Sequence, residues 1–339
     1  MTVSRFARIG ETDILEVRLC TQAGAVAKII TWGAVVRDLV VPGPKGPQRV
    51  VLGLETIEDY IERSPYFGAI VGRYGNRIAG ARFALDGEEH RLDPNEGRHQ
   101  LHGGPTGFGQ RLWSVLDRHR SGVTLGLVSK DGDMGYPGDL FATCTYTLLE
   151  PATLRVELQA TCNRPTPVNL TTHSYYNLDG TKDVCSHHLL IAGDFITPTD
   201  AELIPTGEVR AVAGTSYDFT ELRPIGASQL LQCRTTYDVN YVLRHPRGAL
   251  GHAATLLSRT SGVGLELWTT EPGVQFYDGH LLDGTLSGLD GAVYGPRAGL
   301  CLEPQRFPDG PNRAHFPPCI LRPGEVSRQV SEIRFFGTE

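Results

Sequence analysis

Apolar and polar residues alternate in short runs along the first fifty positions, and each run ends at glycine or proline. Successive side chains of a strand point to opposite faces, so this period of two predicts short β-strands with one buried face. The clearest runs are ILEVRLCT (14–21), AVAKIITWG (25–33) and VVRDLVVPG (35–43).

The stretch TIEDYIERS (56–64) breaks this pattern, because Ile57, Tyr60 and Ile61 follow helical spacing. Thr56 and Asp59 form a capping pair at its start, so we predict one short helix here.

Strand patterns return after residue 77. RFALDGEEHRL predicts a hairpin that turns at Asp86 and Gly87. Four further alternating runs follow: SVLDR (114–118), GVTLGLVS (122–129), LFATCTYTLLE (140–150) and ATLRVELQATC (152–162).

The turn residues support an all-β fold. Forty glycines and twenty-two prolines are spread among the short strands, as the turns of an antiparallel sandwich require. No helical pattern is long enough to connect parallel strands, and no linker, internal repeat or low-complexity tract divides the chain. We therefore predict a single domain over residues 1–339, an antiparallel β-sandwich with few short helices.

Charge and composition narrow the possible partners. A net charge of −6 without any basic run gives no field that attracts nucleic acid. The N-terminal segment lacks the basic start and apolar run of a signal peptide, and no stretch has the length of a membrane span. We expect a cytoplasmic protein that binds neither nucleic acid nor membrane.

The seven cysteines are scattered, odd in number and never spaced as CxxC, at positions 20, 144, 162, 185, 233, 301 and 319. This distribution argues against a zinc module and against a disulfide framework. In an alternating strand Cys301 would share a face with Glu303, but a buried cysteine that acts as a small hydrophobic residue is the favoured interpretation.

Candidate chemistry centres on PVNLTTHSYYNLDG (Pro167–Gly180), which we interpret as one strand-like run. It combines His173 with an aromatic pair and two asparagines, a mixture more typical of a sugar-binding surface than of a core. Histidine can give and take a proton near neutral pH, so a general acid is a reasonable role. A core histidine bonded to the backbone is the alternative.

Three further stretches complete a pattern: GRYGNRIAG from Gly72, LHGG from Leu101 and LEPQRFPDGPN from Leu302. Together with the His173 run, in this order, they resemble the aldose 1-epimerase (galactose mutarotase) family. The resemblance implies a large β-supersandwich with the site on a concave sheet surface. Two positions depart from the family pattern, since Thr172 replaces an asparagine and Tyr176 replaces phenylalanine or tryptophan; these bear on substrate preference.

The resemblance implies an isomerase that needs no cofactor and interconverts the α and β anomers of a free aldose such as galactose or glucose. The reaction needs a base for the C1 hydroxyl proton and an acid for the ring oxygen. Glu303 is the candidate base, since apolar neighbours raise a carboxylate pKa toward the working range. His173 is the candidate acid, and we expect nearby carboxylates to keep its imidazolium charged against the opposing effect of burial.

Six other residues are candidate sugar contacts. Asn76 and Arg77 bring an amide and a guanidinium side by side. Adjacent residues of a regular strand point to opposite faces, so both side chains can face one sugar only if the strand is bulged there. The two glycines after His102 allow the backbone to approach a ligand closely. The remaining three are Tyr175, on the face of His173, and Asp238 and Gln275; we place Phe276 in the core.

A metal site is not expected. The HxxH formed by His99 and His102 has no carboxylate or cysteine at a matching offset. His187 and His188 are predicted to lie at the surface. We predict no cofactor.

Two other functions compete with the epimerase. A glycoside hydrolase would use Asp238 and Glu303 as its carboxylate pair. A non-catalytic sugar-binding protein on the same scaffold would need neither a matched acid nor a base. In each case the partner is a small sugar, and we expect a monomer or homodimer.

Overall fold

A computed structural model describes residues 1–226 and 235–338, so Cys233 lies outside the described residues. Strands make up most of the regular secondary structure of the described part. They are β1 Thr2–Ile9, β2 Thr12–Cys20, β3 Val26–Ile30, β4 Val36–Gly43, β5 Gly46–Arg49, β6 Ile70–Val71, β7 Arg77–Ile78, β8 Arg82–Leu85, β9 Glu88–Arg91, β10 Gln100–Leu101, β11 Ser114–His119, β12 Gly122–Ser129, β13 Leu140–Leu149, β14 Thr153–Cys162, β15 Thr166–Pro167, β16 Thr171–Thr172, β17 Tyr175–Tyr176, β18 His188–Ile191, β19 Gly193–Thr197, β20 Arg210–Ala211, β21 Arg223–Pro224, β22 Asp238–Leu243, β23 Gly251–Ser258, β24 Val263–Thr269, β25 Gly273–Tyr277, β26 Leu300–Gln305, β27 Ile320–Leu321 and β28 Ser327–Gly337.

These strands form three large antiparallel sheets and several two-stranded ones. The nine-stranded sheet has the order β11-β12-β13-β14-β28-β24-β23-β18-β21. The six-stranded sheet has the order β17-β26-β25-β22-β19-β20, and β1 to β5 form a five-stranded meander. The predicted all-β antiparallel sandwich is confirmed.

Alternation along the strands builds the core. In β13 and β14 every second side chain is buried, as the period of two predicts. One hydrophobic cluster draws residues from Val17 near the start of the chain to Phe335 near its end.

Strands β25 and β26 of the six-stranded sheet are largely buried on both faces, and the two faces differ in chemistry. Leu300 and Leu302 of β26 belong to the main hydrophobic cluster, whereas Glu303 points to the opposite face. On β25, Phe276 packs in the same cluster while Gln275 lies opposite Glu303 in the strand register. The predicted core position of Phe276 is confirmed, and the polar face carries the candidate site.

Helical structure is scarce. The one α-helix among the described residues, α1, covers Ile57–Glu62, and the Thr56 hydroxyl accepts the Asp59 N–H at 3.2 Å, as the capping pair predicts. Short 3₁₀ turns lie at Ala79–Ala81, Phe108–Gln110, Asp133–Gly135, Leu289–Gly291 and Gly310–Asn312. None of the described helices has the length and apolar character needed to span a membrane.

The hairpin prediction holds, because β8 and β9 pair around Asp86 and Gly87, which both have positive φ. Two other expectations are wrong. The stretch Pro167–Gly180 is not one strand, since it divides among the two-residue strands β15, β16 and β17, each paired with a different partner. The histidines predicted at the surface are not there: His187 is fully buried and His188 is half-buried. The buried His187 is satisfied inside the fold, where its Nε2 accepts the Leu178 N–H at 3.0 Å.

Candidate active site

A cavity of about 160 Å³ opens on the polar face of the six-stranded sheet. Seven of the eight predicted site residues line it, and the eighth, Gln275, lies behind Asp238. The lining residues are Pro65, Tyr66, Asn76, Arg77, Glu96, Leu101, His102, His173, Tyr175, Asp238, Tyr277, Leu281, Leu282 and Glu303.

His173 sits between β16 and β17, where its backbone is held from both sides. Its N–H donates to the carbonyl of Ala69 at 2.9 Å, and its carbonyl accepts the N–H of Gly68 at 3.0 Å. The imidazole is buried, with Nε2 3.7 Å from Glu303 Oε1 and Nδ1 3.6 Å from Cys301 Sγ. The segment that seemed one strand therefore places an imidazole against a carboxyl group.

Burial sets the protonation of this pair. It lowers the pKa of His173 to about 4, partly opposed by a hydrogen bond to the residue's own backbone. Burial also raises the pKa of Glu303 well above its usual range, with a smaller contribution from the charge of Asp238 and an opposing one from Arg77. The expectation that carboxylates keep His173 charged is thus wrong for the sugar-free site, because burial dominates the lowered pKa of this imidazole.

The two carboxyl oxygens of Glu303 differ in their surroundings. Oε1 faces His173, while Oε2 is buried and finds no hydrogen-bond partner among the described residues. A buried carboxyl oxygen without a partner is costly to ionise, which favours the neutral carboxylic acid. Cys301, on the same strand, is fully buried and its pKa is raised well above the usual value, which agrees with the predicted buried thiol.

Two hydrogen bonds join Asn76 and His102, which both line the cavity. The Asn76 N–H donates to His102 Nδ1 at 3.1 Å, and the His102 N–H donates to the Asn76 carbonyl at 3.0 Å. Both residues have left-handed backbone, with φ of 61° and 52°. This conformation, and not the bulge we anticipated, lets Asn76 and Arg77 line the same cavity.

The glycines after His102 serve a different purpose from the predicted approach to a ligand. Gly103 has φ of 87°, and a Cβ there would collide with the carbonyl of Gly72. Neither Gly103 nor Gly104 lines the cavity. They allow two backbone segments to meet, which fixes the position of His102.

Arg77 and Gln275 hold the acidic side chains of the cavity. Arg77 Nε donates to Glu96 at 2.5 Å, and Nη1 lies 3.7 Å from Asp238 Oδ2. Gln275 donates to Asp238 Oδ1 at 2.6 Å and accepts from Gln305 at 3.1 Å. Burial raises the pKa of Asp238 against the lowering effect of Arg77. Gln275 therefore orients Asp238.

Sequence reasoning missed three cavity residues with polar or aromatic side chains. Glu96 and Tyr277 carried no motif signal, although Tyr277 follows Gln275 at the spacing of one strand face. Tyr66 lies six residues before the GRYGNRIAG motif and packs its ring 4.6 Å from that of His102 and 5.7 Å from that of His173. Only the folded chain brings it to the site.

The ligand atoms of His102, His173 and Glu303 lie within 4.8 Å of one another, a spacing that raises the question of a metal ion. The hydrogen bond of His102 argues against one. A metal-bound histidine donates its other ring N–H to an acceptor, whereas Nδ1 of His102 accepts the Asn76 N–H. His99, the other histidine of the HxxH, lines a separate cavity and lies 3.3 Å from Glu202.

The family model described as "Aldose 1-epimerase" matches residues 16–334. This chain belongs to the aldose 1-epimerase family. Galactose mutarotase from Mus musculus is 42% identical over 312 residues, covering 91% of this chain and 90% of the relative. Aldose 1-epimerase from Escherichia coli K12 is 38% identical over 326 residues, covering 94% of each.

A crystal structure of an aldose epimerase homologue from C. elegans has the same fold, with a TM-score of 0.90 at 30% identity, covering 96% of this chain and 100% of that one. The predicted family and enzyme class, an isomerase, are confirmed. In this aldose 1-epimerase the carboxyl group of Glu303 and the imidazole of His173 lie next to each other in the cavity.

Proposed function

We propose that this aldose 1-epimerase interconverts the anomers of a free aldose such as galactose or glucose in the cavity around His173 and Glu303. The observation that carries the proposal is the buried pair, a proton donor and a proton acceptor 3.7 Å apart. A cavity of about 160 Å³ is small among ligand sites, which favours a monosaccharide.

Ring opening requires two proton transfers. Glu303 takes the proton of the C1 hydroxyl as the C1–O5 bond breaks, and His173 gives a proton to O5, so the product is an open-chain aldehyde. Rotation about the C1–C2 bond exposes the other face of the aldehyde. Reclosure reverses both transfers, with His173 taking back the O5 proton and Glu303 returning one to O1, so no cofactor is consumed.

Sugar binding would change the protonation state of the His173–Glu303 pair. In the empty cavity burial favours neutral imidazole and neutral carboxylic acid. A C1 hydroxyl that donates to Glu303 lowers the pKa of that carboxyl, and a ring oxygen that accepts from His173 raises the pKa of the imidazole. Binding thus favours moving one proton from Glu303 to His173, and ring opening returns the pair to its neutral state.

The other cavity residues would position the sugar. Neutral His102, with Nδ1 engaged by Asn76, carries its proton on Nε2 and can donate to a sugar oxygen. Arg77 supplies further donors, Asp238 accepts from hydroxyl groups, and Tyr175 presents a ring face beside His173 at 5.3 Å. Asn76 contributes its amide, and Gln275 acts through Asp238.

Four broader expectations belong to the same proposal. A cytoplasmic location is supported by the scattered, odd set of cysteines in the sequence. A single domain over residues 1–339 and a monomeric or homodimeric state stay predictions. The acidic net charge supports the absence of a nucleic-acid partner.

The test is polarimetry or NMR on freshly dissolved α-galactose and α-glucose with the purified protein. We expect the approach to anomeric equilibrium to accelerate in proportion to enzyme concentration. An unchanged rate with both sugars would overturn the proposal for these sugars. Release of nitrophenol from a nitrophenyl glycoside would support the glycosidase alternative instead, which the comparisons do not favour.

A further inference from the structure

Tyr66 is an aromatic residue in a backbone conformation that side chains of its size rarely adopt. Its φ is 64°, in the left-handed region, where a bulky residue pays a steric cost. Such residues persist only where neighbouring contacts hold them, and they concentrate at functional sites. The strained backbone of Tyr66 therefore suggests that the position of its ring matters for the site.

The turn around Tyr66 is fastened to the strand segment that carries His173. The Tyr175 hydroxyl donates to the Pro65 carbonyl at 3.1 Å, and the Phe67 ring packs 4.5 Å from the ring of Tyr175. The carbonyl of Tyr66 accepts the Ala69 N–H at 3.0 Å, and Ala69 in turn accepts the N–H of His173. Contacts on both sides of Tyr66 thus hold the left-handed turn in place.

The ring of Tyr66 touches both imidazoles of the cavity. It meets His102 edge-on, with centroids 4.6 Å apart and an interplanar angle of 65°, and it lies 5.7 Å from His173. Those two imidazoles are themselves 5.1 Å apart and nearly perpendicular, at 85°. Tyr66 therefore completes a cluster of three rings at one wall of the cavity.

We propose that Tyr66 is a positioning residue of the epimerase reaction, whose ring fixes the orientation of His102 and His173 and keeps bulk water from them. The inference rests on the proposed function for its effect on rate. The ring, and not the hydroxyl, carries the role, since the imidazole contacts are made by the ring.

The test compares three variants. Tyr66→Phe should keep most of the wild-type kcat. Tyr66→Ala should lose about a hundredfold in kcat, the scale of a small misplacement of catalytic groups, with a smaller change in KM. Tyr66→Gly should lose as much activity as Tyr66→Ala but melt at a higher temperature, because glycine accepts positive φ without strain.

A second readout is independent of activity. Histidine ring NMR should show the pKa of His173 moving up from about 4 toward the ordinary value in Tyr66→Ala, because water reaches the ring. The groups facing His173 are Glu303 and Cys301 from β26, Tyr175 from β17 and His102 from the loop after β10, with Asp238 and Arg77 also lining the cavity. All of these remain in the variant.

Tyr217→Ala serves as the matched control, since Tyr217 is a half-buried tyrosine whose ring packs on Tyr237 and touches neither imidazole. It should leave kcat and the His173 titration unchanged. Wild-type kcat in Tyr66→Ala together with an unchanged His173 titration would overturn the role of Tyr66. Absent activity in the wild type would overturn the proposed function alone, because the titration is still measurable.

Discussion

His173 Nε2 lies 3.7 Å from Glu303 Oε1, and neither side chain is more than about 6% exposed. The two residues come from segments 130 positions apart, a loop held by Ala69 and strand β26 in the six-stranded sheet. One proton shared within the pair is what the proposed ring opening moves.

Replacing Glu303 should remove the base while keeping its shape. We expect Glu303→Gln to lower kcat by roughly a hundred- to ten-thousandfold, with sugar binding largely retained. Saturating polarimetry measures kcat, and the exposed Glu88→Gln is the matched control. Retention of more than about a tenth of the wild-type kcat would show that another group takes the hydroxyl proton.

The pH profile should reflect the direction of the His173 shift. Because burial lowers the pKa of His173 to about 4, the free pair gains its second proton only near that pH. We expect kcat/KM to stay level below neutral pH and to fall as pH approaches 4, with the basic limb set by loss of the proton on Glu303. Polarimetry across pH, with circular dichroism at each point to exclude unfolding, measures both limbs.

His173→Asn should lower the rate and abolish the acidic limb, because the remaining activity relies on water as the acid. An acidic limb that persists unchanged in this variant would show that His173 only positions the sugar and that another group sets the limb.

Glu303→Gln should also stabilise the protein in a pH-dependent way. The folded pKa of Glu303 is raised, so the unfolded chain ionises this group first and the wild type loses stability as pH rises above about 4.5. The variant lacks this loss. We expect its melting temperature to exceed that of the wild type by a few degrees at pH about 8, with the gap closing toward pH about 5.

Differential scanning calorimetry at both pH values measures that gap. A gap of the same size at both would contradict the raised pKa and indicate a change in packing instead.

We expect Asp238 to link sugar binding to the protonation of Glu303. Its charge contributes to the raised pKa of Glu303, so Asp238→Asn should shift the basic limb of kcat/KM to lower pH. Loss of a carboxylate that accepts from sugar hydroxyls should raise KM by roughly tenfold, the cost of one charged hydrogen bond. The pH dependence of kcat and KM tests both effects, and a raised KM with an unmoved basic limb would separate the two roles.

Removal of metal ions should leave the activity intact. The orientation of His102, whose Nδ1 accepts a backbone N–H, leaves its Nε2 protonated and unsuited to a metal ion. Dialysis against a chelator followed by polarimetry tests this expectation. Loss of activity that a single divalent ion restores would reassign His102, His173 and Glu303 as ligands.

The sequence by itself determined the class of fold and predicted most of the residues that line the candidate site. Alternation with a period of two assigns each strand residue to a face, which is why the sequence predicts correctly that Phe276 and Gln275 lie on opposite faces of their strand. The motifs around Asn76, His102, His173 and Glu303 indicate the family. Short runs of specific residues in a fixed order can be recognised in the sequence without knowing how the fold brings them together.

Only the tertiary structure decided the burial of the His173–Glu303 pair and the ring contacts of Tyr66. A pKa depends on how much water the surrounding elements exclude, and segments far apart in sequence exclude it from His173. The backbone at Asn76 and Tyr66 turns left-handed because contacts across the fold hold it there, which no local pattern reveals. For the same reason the run Pro167–Gly180 looked like one strand, since its pairing partners lie in three different parts of the chain.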